Sequence, residues 1–251
     1  MKQIYTVINR KGGTSKSVSA TNLAASLKRK GERVLLIDLD QQGSSIDMLG
    51  GSAENATITE VIKGEMTLIQ AIQQTPYTDL ITADTALAGI DEYIKQERKI
   101  LFLKQALKEI EDQYDFVIFD CSGELSQLNL SALMASTKVI IPALASVLSL
   151  KGIEDLNEFV NLARELGNSD LKIEGILLTQ YDGRNRLSRE VRAFAQELVQ
   201  QLNSKLFNTP IRRTVKVEES VLSHQPIIEY DPTSTASLDY LKWTEELIGE
   251  D

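Results

Sequence analysis

The segment NRKGGTSKS, residues 9–17, combines glycines, a lysine and a hydroxyl residue at the spacing of a phosphate-binding loop. Gly12 and Gly13 allow backbone N–H groups to approach a polyphosphate closely. Lys16 can reach the outer phosphates, and the hydroxyl of Ser17 suits a Mg²⁺ ligand. The segment therefore predicts a nucleotide phosphate site, with a plain strand–turn–helix joint and a solvated Lys-Ser pair as the alternative.

Two positions of this loop depart from the pattern G-x-x-x-x-G-K-[ST], because Arg10 and Ser15 stand where glycines are usual. If Ser15 must adopt a positive φ, its side chain costs roughly 1 kcal/mol. Serine is small and can bond locally, so we expect the loop to remain functional with some loss of affinity. The candidate nucleotide contacts here are Lys11, Gly12, Gly13, Thr14, Ser15, Lys16, Ser17 and Val18.

Two aspartates close a second apolar run, VLLIDLDQQ. Side chains alternate along a strand, so Asp38 and Asp40 point to the same side. Asp40 falls at the strand end, where a carboxylate can orient an attacking water. Asp38 lies deeper and either holds Mg²⁺ through water or fixes the loop. An ordinary turn is the alternative, because aspartate is common after strands.

A third carboxylate, Asp120, ends the apolar run FVIFD and matches a Walker B strand, whose aspartate lies next to Mg²⁺. A helix N-cap is the alternative role. Gly123 and Glu124 follow in a possible γ-phosphate-sensing loop. Ligands of open parallel sheets bind at the carboxyl ends of the strands, so the three segments together predict one site. Its candidate metal ligands are Ser17, Asp38 and Asp120.

Short runs rich in Val, Ile and Leu alternate with helical patterns, which predicts an α/β fold: a doubly wound, mostly parallel sheet with helices on both faces, similar to P-loop NTPases. The predicted strands are Gln3–Ile8, Arg33–Leu39, Leu80–Thr82, Phe116–Phe119, Lys138–Ile141 and Ile173–Leu178. The predicted helices are Val18–Lys30, Asp91–Asp112, Ser126–Ala135, Leu150–Leu166, Leu187–Leu202 and Ser234–Ile248. Residues 43–90 are expected to form loops and short helices within a single domain, 1–251.

Composition excludes several classes of protein. The longest nearly apolar run, Val139 to Leu150, has twelve residues and is too short to span a bilayer. The N-terminus lacks the apolar core of a signal peptide. A single cysteine, Cys121, excludes an internal disulfide framework and a CxxC metal site. A cytoplasmic location without a membrane partner is expected.

The net charge of −9 argues weakly against nucleic acid as a partner, but the charge is uneven. Residues 181–216 carry eight Lys/Arg against three acids, a local charge of +5 that leaves −14 elsewhere. Such a basic field can steer a polyanion even within an acidic protein. A solvated helix face is the alternative.

These motifs together resemble those of the ParA family of deviant Walker A ATPases, in the ParA/MinD superfamily, and the resemblance covers nearly the whole chain. The segments that carry it are KGGTSKS, DLDQQ, FDCSG, EGILLTQYDGRNRLSREV, RRTVKVEES and QPIIEYDPTS. The resemblance implies an ATPase that uses ATP and Mg²⁺, with Lys11, Lys16 and Asp40 as catalytic residues and Asp120 beside the nucleotide.

The same resemblance implies the role of Lys11, which is expected to reach the nucleotide of a second subunit in an ATP-sandwich homodimer. A second cation neutralises charge that develops on the phosphates, as an arginine finger does. Without the resemblance, Lys11 is one more solvated lysine.

The resemblance further implies that the ATP-bound dimer binds non-specific DNA on the nucleoid and is released when a ParB-like centromere-binding protein stimulates hydrolysis. The candidate DNA contacts are Arg184, Arg186, Arg189, Arg213 and Lys216, and Arg212, Arg213 and Lys216 are expected together in a loop. Pro210 and Arg212 are expected near the adenine. The chain starts almost directly with a strand, so the short forms of the family are the better match, without an N-terminal DNA-binding domain.

The sequence departs from the family pattern in four places: Ser15 for glycine, Gln41 for proline, Ser122-Gly123 for Pro-Pro, and Arg212 for a frequent proline. The first three border the phosphates, so a non-hydrolysing nucleotide switch or scaffold remains an alternative. A MinD-type positioning ATPase is a further alternative. It requires a basic amphipathic helix at the C-terminus, whereas LDYLKWTEELIGED is acidic.

Overall fold

The computed structural model describes residues 1–52, 54–146, 149–150 and 152–249. Its strands form one eight-stranded sheet. In chain order they are β1 (Gln3–Val7), β2 (Val34–Leu39), β3 (Gln73–Gln74), β4 (Asp79–Ile81), β5 (Phe116–Cys121), β6 (Lys138–Leu144), β7 (Lys172–Thr179) and β8 (Lys205–Leu206). Their order across the sheet is β3-β4-β2-β5-β1-β6-β7-β8, and all neighbours run parallel except the β3–β4 pair.

Helices connect the strands and cover both faces of the sheet. They are α1 (Lys16–Arg29), α2 (Ser44–Leu49), α3 (Ile58–Lys63), α4 (Leu68–Ala71), α5 (Ile90–Gln96), α6 (Phe102–Ala106), α7 (Gln127–Ala135), α8 (Ile153–Glu165), α9 (Arg186–Gln201), α10 (Lys216–Leu222), α11 (Ile227–Tyr230) and α12 (Thr235–Ile248). Short 3₁₀ turns lie at Thr85–Leu87 and Leu107–Ile110. None of the helices in the described ranges is long and apolar enough to cross a bilayer.

Two apolar cores lie on opposite faces of the sheet, because alternate side chains of each buried strand point in opposite directions. In β5, Val117 and Phe119 belong to one core, whereas Phe116 and Ile118 belong to the other. Helices α1 and α12 pack on the second core, whose largest side chain is the buried Trp243. The expected doubly wound, mostly parallel α/β fold is therefore confirmed.

The predicted strands and most predicted helices are confirmed to within a few residues, although Lys151 of the predicted 150–166 helix lies outside the described residues. The two-residue strands β3 and β8 were not predicted, because so short a run carries no periodic signal. The 43–90 region contains short helices and loops as expected, together with β3 and β4.

The prediction of one continuous helix over 91–112 is wrong. Helix α5 ends at Gln96, and Arg98 adopts a left-handed φ of 53° before α6 begins at Phe102. This break turns the chain so that Ile94 and Leu103 both enter the core. No glycine or proline marks the break, and tertiary packing alone requires it.

Lys216 was expected in a loop together with Arg212 and Arg213, and this placement is also wrong for Lys216. It is the first residue of α10, whereas Arg212 lies in a loop and forms an isolated bridge with Tyr181.

Helix α1 begins on a strained residue. Its N-cap, Ser15, has φ 63° and ψ 34°, in the left-handed region, and its side chain makes no capping hydrogen bond. Gly13 of the same loop also has a positive φ of 71°, at no steric cost. The structure thus confirms that the backbone at position 15 has a positive φ, the conformation that favours glycine.

Replacing Ser15 with glycine should raise the free energy of unfolding by about 0.5–1 kcal/mol, since the left-handed penalty exceeds the added entropy of glycine in the unfolded chain. Urea denaturation without nucleotide measures the change. Gly13→Ser is the matched control, because a Cβ at Gly13 has no neighbour within 4 Å and adds backbone strain alone. It should destabilise the protein, and a loss of stability in Ser15→Gly would contradict the interpretation.

Candidate functional site

The phosphate-binding loop joins β1 to α1 and is shaped by Asn9, which the sequence analysis did not single out. The buried Asn9 amide donates to Pro142 O at 2.7 Å, and its Oδ1 accepts from Lys11 N at 3.0 Å. A hydroxyl-to-carbonyl bond of 3.2 Å from Thr179 to Thr14 O attaches the far side of the loop to the end of β7. The side chains of Asn9, within the loop, and of Thr179, at the end of β7, therefore set the loop's shape.

Lys16 lies under this loop and is 8% exposed. Its ammonium donates to Lys11 O at 3.5 Å, a contact that satisfies the cation only weakly. Lys11 is a half-buried residue, and its ammonium makes no hydrogen bond or ion pair with any residue that the structure describes. Two cations at one loop, neither of them strongly paired, favour an anionic ligand.

Asp38 and Asp120 are adjacent in the sheet, since β2 and β5 pair them in register and both are fully buried. Asp38 is satisfied by the protein: it accepts from Asp40 N at 2.9 Å, from Ser45 N at 3.1 Å and from the Ser45 hydroxyl. Burial raises the pKa of Asp38, and these hydrogen bonds oppose the shift. Of the two roles considered for Asp38, the contacts favour fixing the loop.

Asp120 differs, because neither of its carboxylate oxygens has a hydrogen-bond partner among the described residues. Burial raises its pKa well above the usual range and the charge of Asp38 adds to this, while the charge of the nearby Lys16 ammonium opposes the shift. A buried carboxylate without a partner is costly, and a cation relieves that cost. The donor set fits Mg²⁺, a hard cation that binds few protein carboxylates and keeps other oxygen ligands.

Asp40 lies at the mouth of the site, partly exposed, and accepts from Gln42 N at 3.1 Å. It lines a cavity of about 490 Å³ together with Arg10 and the loop Ser122–Glu124. Arg10 forms an ion pair with Asp155 of α8. The cavity adjoins the phosphate-binding loop, so a phosphate and a water molecule can meet beside a carboxylate there.

The expected adenine contacts lie near one another. Pro210 and Arg212 line a second cavity with Tyr181 and Asp239. The guanidinium of Arg212 is already committed, since it donates to both oxygens of Asp239 at 2.7–3.1 Å. That pairing raises the pKa of Arg212 and makes it a wall of the cavity. Contact of these residues with a base stays a prediction.

Most of the predicted basic residues are exposed, whereas Lys216, at the start of α10, is half-buried. Arg184 and Arg186 pair with Asp182 and Glu190, although their side chains are 95% and 86% exposed. Arg189 donates to Gly183 O and Arg184 O, and Lys216 pairs with Glu219. Exposed pairs of this kind contribute little energy and exchange readily for phosphate partners.

Comparison with known proteins places this geometry in a family. A family model described as an AAA domain matches residues 1–173. The chain is 34% identical to the sporulation initiation inhibitor protein Soj of Bacillus subtilis (strain 168), over 98% of each chain. It is 33% identical to the chromosome-partitioning ATPase Soj of Treponema pallidum (strain Nichols), over 100% of this chain and 99% of that one.

A solved structure extends the likeness to three dimensions. Cobyrinic acid a,c-diamide synthase from Mycobacterium smegmatis, with a bound ATP analogue and magnesium, has a TM-score of 0.85 and 27% identity. The match covers 99% of this chain and 95% of that chain. Since both the sequence and the fold match along nearly the whole length, the chain belongs to the ParA/MinD family of P-loop ATPases.

Proposed function

We propose that this protein is a single-domain ATPase of chromosome or plasmid partition that dimerises around ATP and binds DNA without sequence specificity. A centromere-binding protein of the ParB type would stimulate hydrolysis and release the dimer from DNA. The single observation that carries the ATPase proposal is the unpartnered, buried carboxylate of Asp120 beside Lys16 and Ser17. Relatives named Soj and ParA support the role in partition.

The position of each residue in the nucleotide site suggests its role. Backbone N–H groups of the loop and Lys16 would hold the phosphates, with Val18 and Thr14 supporting the loop. Ser17 and Asp120 would hold Mg²⁺, with Asp38 behind them, and the ion would supply charge neutralisation on the phosphates. Asp40 would orient the attacking water in the cavity that it lines. Pro210 and Arg212 would border the adenine.

Lys11 supports the dimer in this proposal. Its ammonium is not engaged by the described part of its own chain, whereas its backbone carbonyl accepts from Thr14 and Lys16. A side chain held at its base and free at its tip suits contact with a neighbouring subunit's triphosphate. The Lys11→Ala substitution removes the ammonium and leaves those carbonyl contacts in place.

Two other functions are less well supported. A membrane-cycling role of the MinD type is disfavoured because α12 buries Tyr240, Trp243 and Leu247 in the core, so this face is not available to lipid. A non-hydrolysing switch is favoured by one feature, the replacement of Pro-Pro by Ser122-Gly123 beside the cavity. The rate of ATP hydrolysis distinguishes a non-hydrolysing switch from an ATPase.

Asp40→Ala should reduce ATP hydrolysis about 100-fold while nucleotide affinity changes little, because Asp40 lies in the cavity and not in the phosphate-binding loop. Phosphate release at saturating ATP and Mg²⁺, with duplex DNA present, measures turnover. Asp170→Ala, in an exposed loop, is the control and should match the wild type. Equal rates in wild type and Asp40→Ala would favour the non-hydrolysing switch.

Lys11→Ala should abolish ATP-dependent dimers, since the ammonium that bridges the two subunits is lost. Size-exclusion chromatography with ATP, with ADP and without nucleotide measures the change, using the Asp40→Ala background to limit turnover. Lys95→Ala removes an exposed lysine from α5 and should leave the dimer intact. Dimers of Lys11→Ala that persist with ATP would refute the bridging role.

The protein should be retained on duplex DNA with ATP and Mg²⁺ and should elute with ADP or at high salt. The double variant Arg184→Ala/Arg213→Ala should weaken retention and reduce the slope of log affinity against log salt by about 2. The control Lys104→Ala/Lys108→Ala removes the same charge beside the amino end of β1. The proposed DNA surface would be contradicted if retention did not depend on the nucleotide, or if the two double variants weakened retention equally.

A further inference from the structure

The loop that follows β5 is held by a single buried side chain, Asn129 of α7. The Asn129 amide nitrogen lies 2.7 Å from Glu124 O, 3.0 Å from Ser122 Oγ and 3.3 Å from Ser122 O. It thus binds the loop on both sides of Gly123. Within the described part of the chain, residues 122–125 make no backbone–backbone hydrogen bond, so this amide is the loop's main polar tether.

The tethered loop lies directly against the phosphate-binding loop. A Cβ placed on Gly123 would lie 2.9 Å from Arg10 O, closer than a side chain tolerates, and in ordinary contact with Asn9 O at 3.5 Å. Ser122, Gly123 and Glu124 also line the cavity that contains Asp40. The position of this loop therefore determines the space between the phosphate-binding loop and the carboxylate that faces the reaction.

Asn129 is itself well anchored. Its backbone N–H donates to Ser126 Oγ at 3.1 Å, which caps α7. Asp91 of α5 accepts from the N–H groups of Gln127 and Leu128, both at 3.0 Å. The 122–125 loop, which makes no backbone–backbone hydrogen bond in the described part of the chain, is thus attached to the N-terminal end of α7. Helix α5 holds that end of α7 in place.

We propose that Asn129 is a positioning residue for ATP hydrolysis: it acts through Ser122 and Glu124 to keep the 122–124 loop at the distance from Arg10 that the reacting phosphate and water require. The inference rests on the proposed ATPase function. Reacting groups must be placed to within a fraction of an ångström, so a loosened loop slows the reaction more than it weakens binding. Because ADP lacks the terminal phosphate, its affinity should hardly change when this loop is loosened.

The decisive comparison uses two asparagines that serve opposite ends of α7. Asn168, which follows α8, donates to Leu133 O and Ser136 O at the C-terminal end of α7, so Asn168→Ala removes the same chemical group from a contact with the same helix, away from the loop. In Asn129→Ala only donors are lost, because Oδ1 of Asn129 has no partner within the described ranges. A purely structural role predicts similar behaviour of the two variants.

The turnover number should fall about tenfold or more in Asn129→Ala, while the dissociation constant for ADP changes less than about twofold. Asn168→Ala should retain wild-type turnover even if its melting temperature falls equally. Phosphate release and ADP titration calorimetry supply these values. Equal turnover in all three proteins, or loss of ADP binding in parallel with turnover in Asn129→Ala, would overturn the assignment.

Amide hydrogen exchange tests the tether independently of catalysis. Amides of residues 122–126 should exchange at least about tenfold faster in Asn129→Ala than in wild type, with the sheet unchanged and Asn168→Ala normal in this segment. Unchanged exchange there would refute the inference even if wild type hydrolyses ATP. A wild type without turnover would instead refute the proposed ATPase, and the exchange result would still decide whether Asn129 holds the loop.

Discussion

Two carboxylates buried side by side in the sheet impose the main constraint on this protein. Asp38 and Asp120 are register partners on neighbouring strands, and both are fully buried. Desolvation raises the pKa of both carboxyl groups, and the charge of Asp38 raises that of Asp120 further. The fold stabilises Asp38 with hydrogen bonds from Ser45 and Asp40, whereas the described residues offer Asp120 no hydrogen-bond partner, so the site is electrostatically incomplete without a cation.

The strand order explains how one edge gathers this chemistry. Because β2, β5 and β1 are neighbours and parallel, the loops that follow them open at the same edge of the sheet. Their register is nearly level, since Phe116 pairs with both Gln3 and Val34. Three segments far apart in the chain therefore reach one cavity. Part of the irregular 43–90 region, residues 87–89, supplies another wall of that cavity.

Side-chain hydrogen bonds fix two loops of the site, the phosphate-binding loop and the loop after β5. Asn9 fixes the entrance of the phosphate-binding loop to Pro142, and Asn129 fixes the loop after β5. Gly123 gives that second loop its close approach to Arg10, which a larger residue would prevent. Ser15 is the opposite case to Gly123: its left-handed backbone favours glycine, but the residue carries a side chain. Departures from a familiar motif are thus partly compensated by residues outside the motif.

The sequence alone was sufficient to identify the alternating strands and helices and the three polar segments at strand ends, and to predict roles for Lys16, Asp40 and Asp120. These features are local: burial alternates with the strand period, and a glycine-rich turn before a helix has few other uses. Periodicity could not locate β3 and β8, nor the break at Arg98, because packing against distant segments produces them.

Only the tertiary structure decided which polar groups are satisfied. It showed Asp38 bound to Ser45, Arg212 bound to Asp239 and Asn129 bound to the loop after β5, and it showed no hydrogen-bond partner of Asp120 in the described part of the chain. Hydrogen bonds need distances and angles set by both partners at once, and no local pattern encodes them. Residue types and spacing therefore determined what chemistry this chain can perform, and the packing of remote elements determined which side chains remain free to perform it.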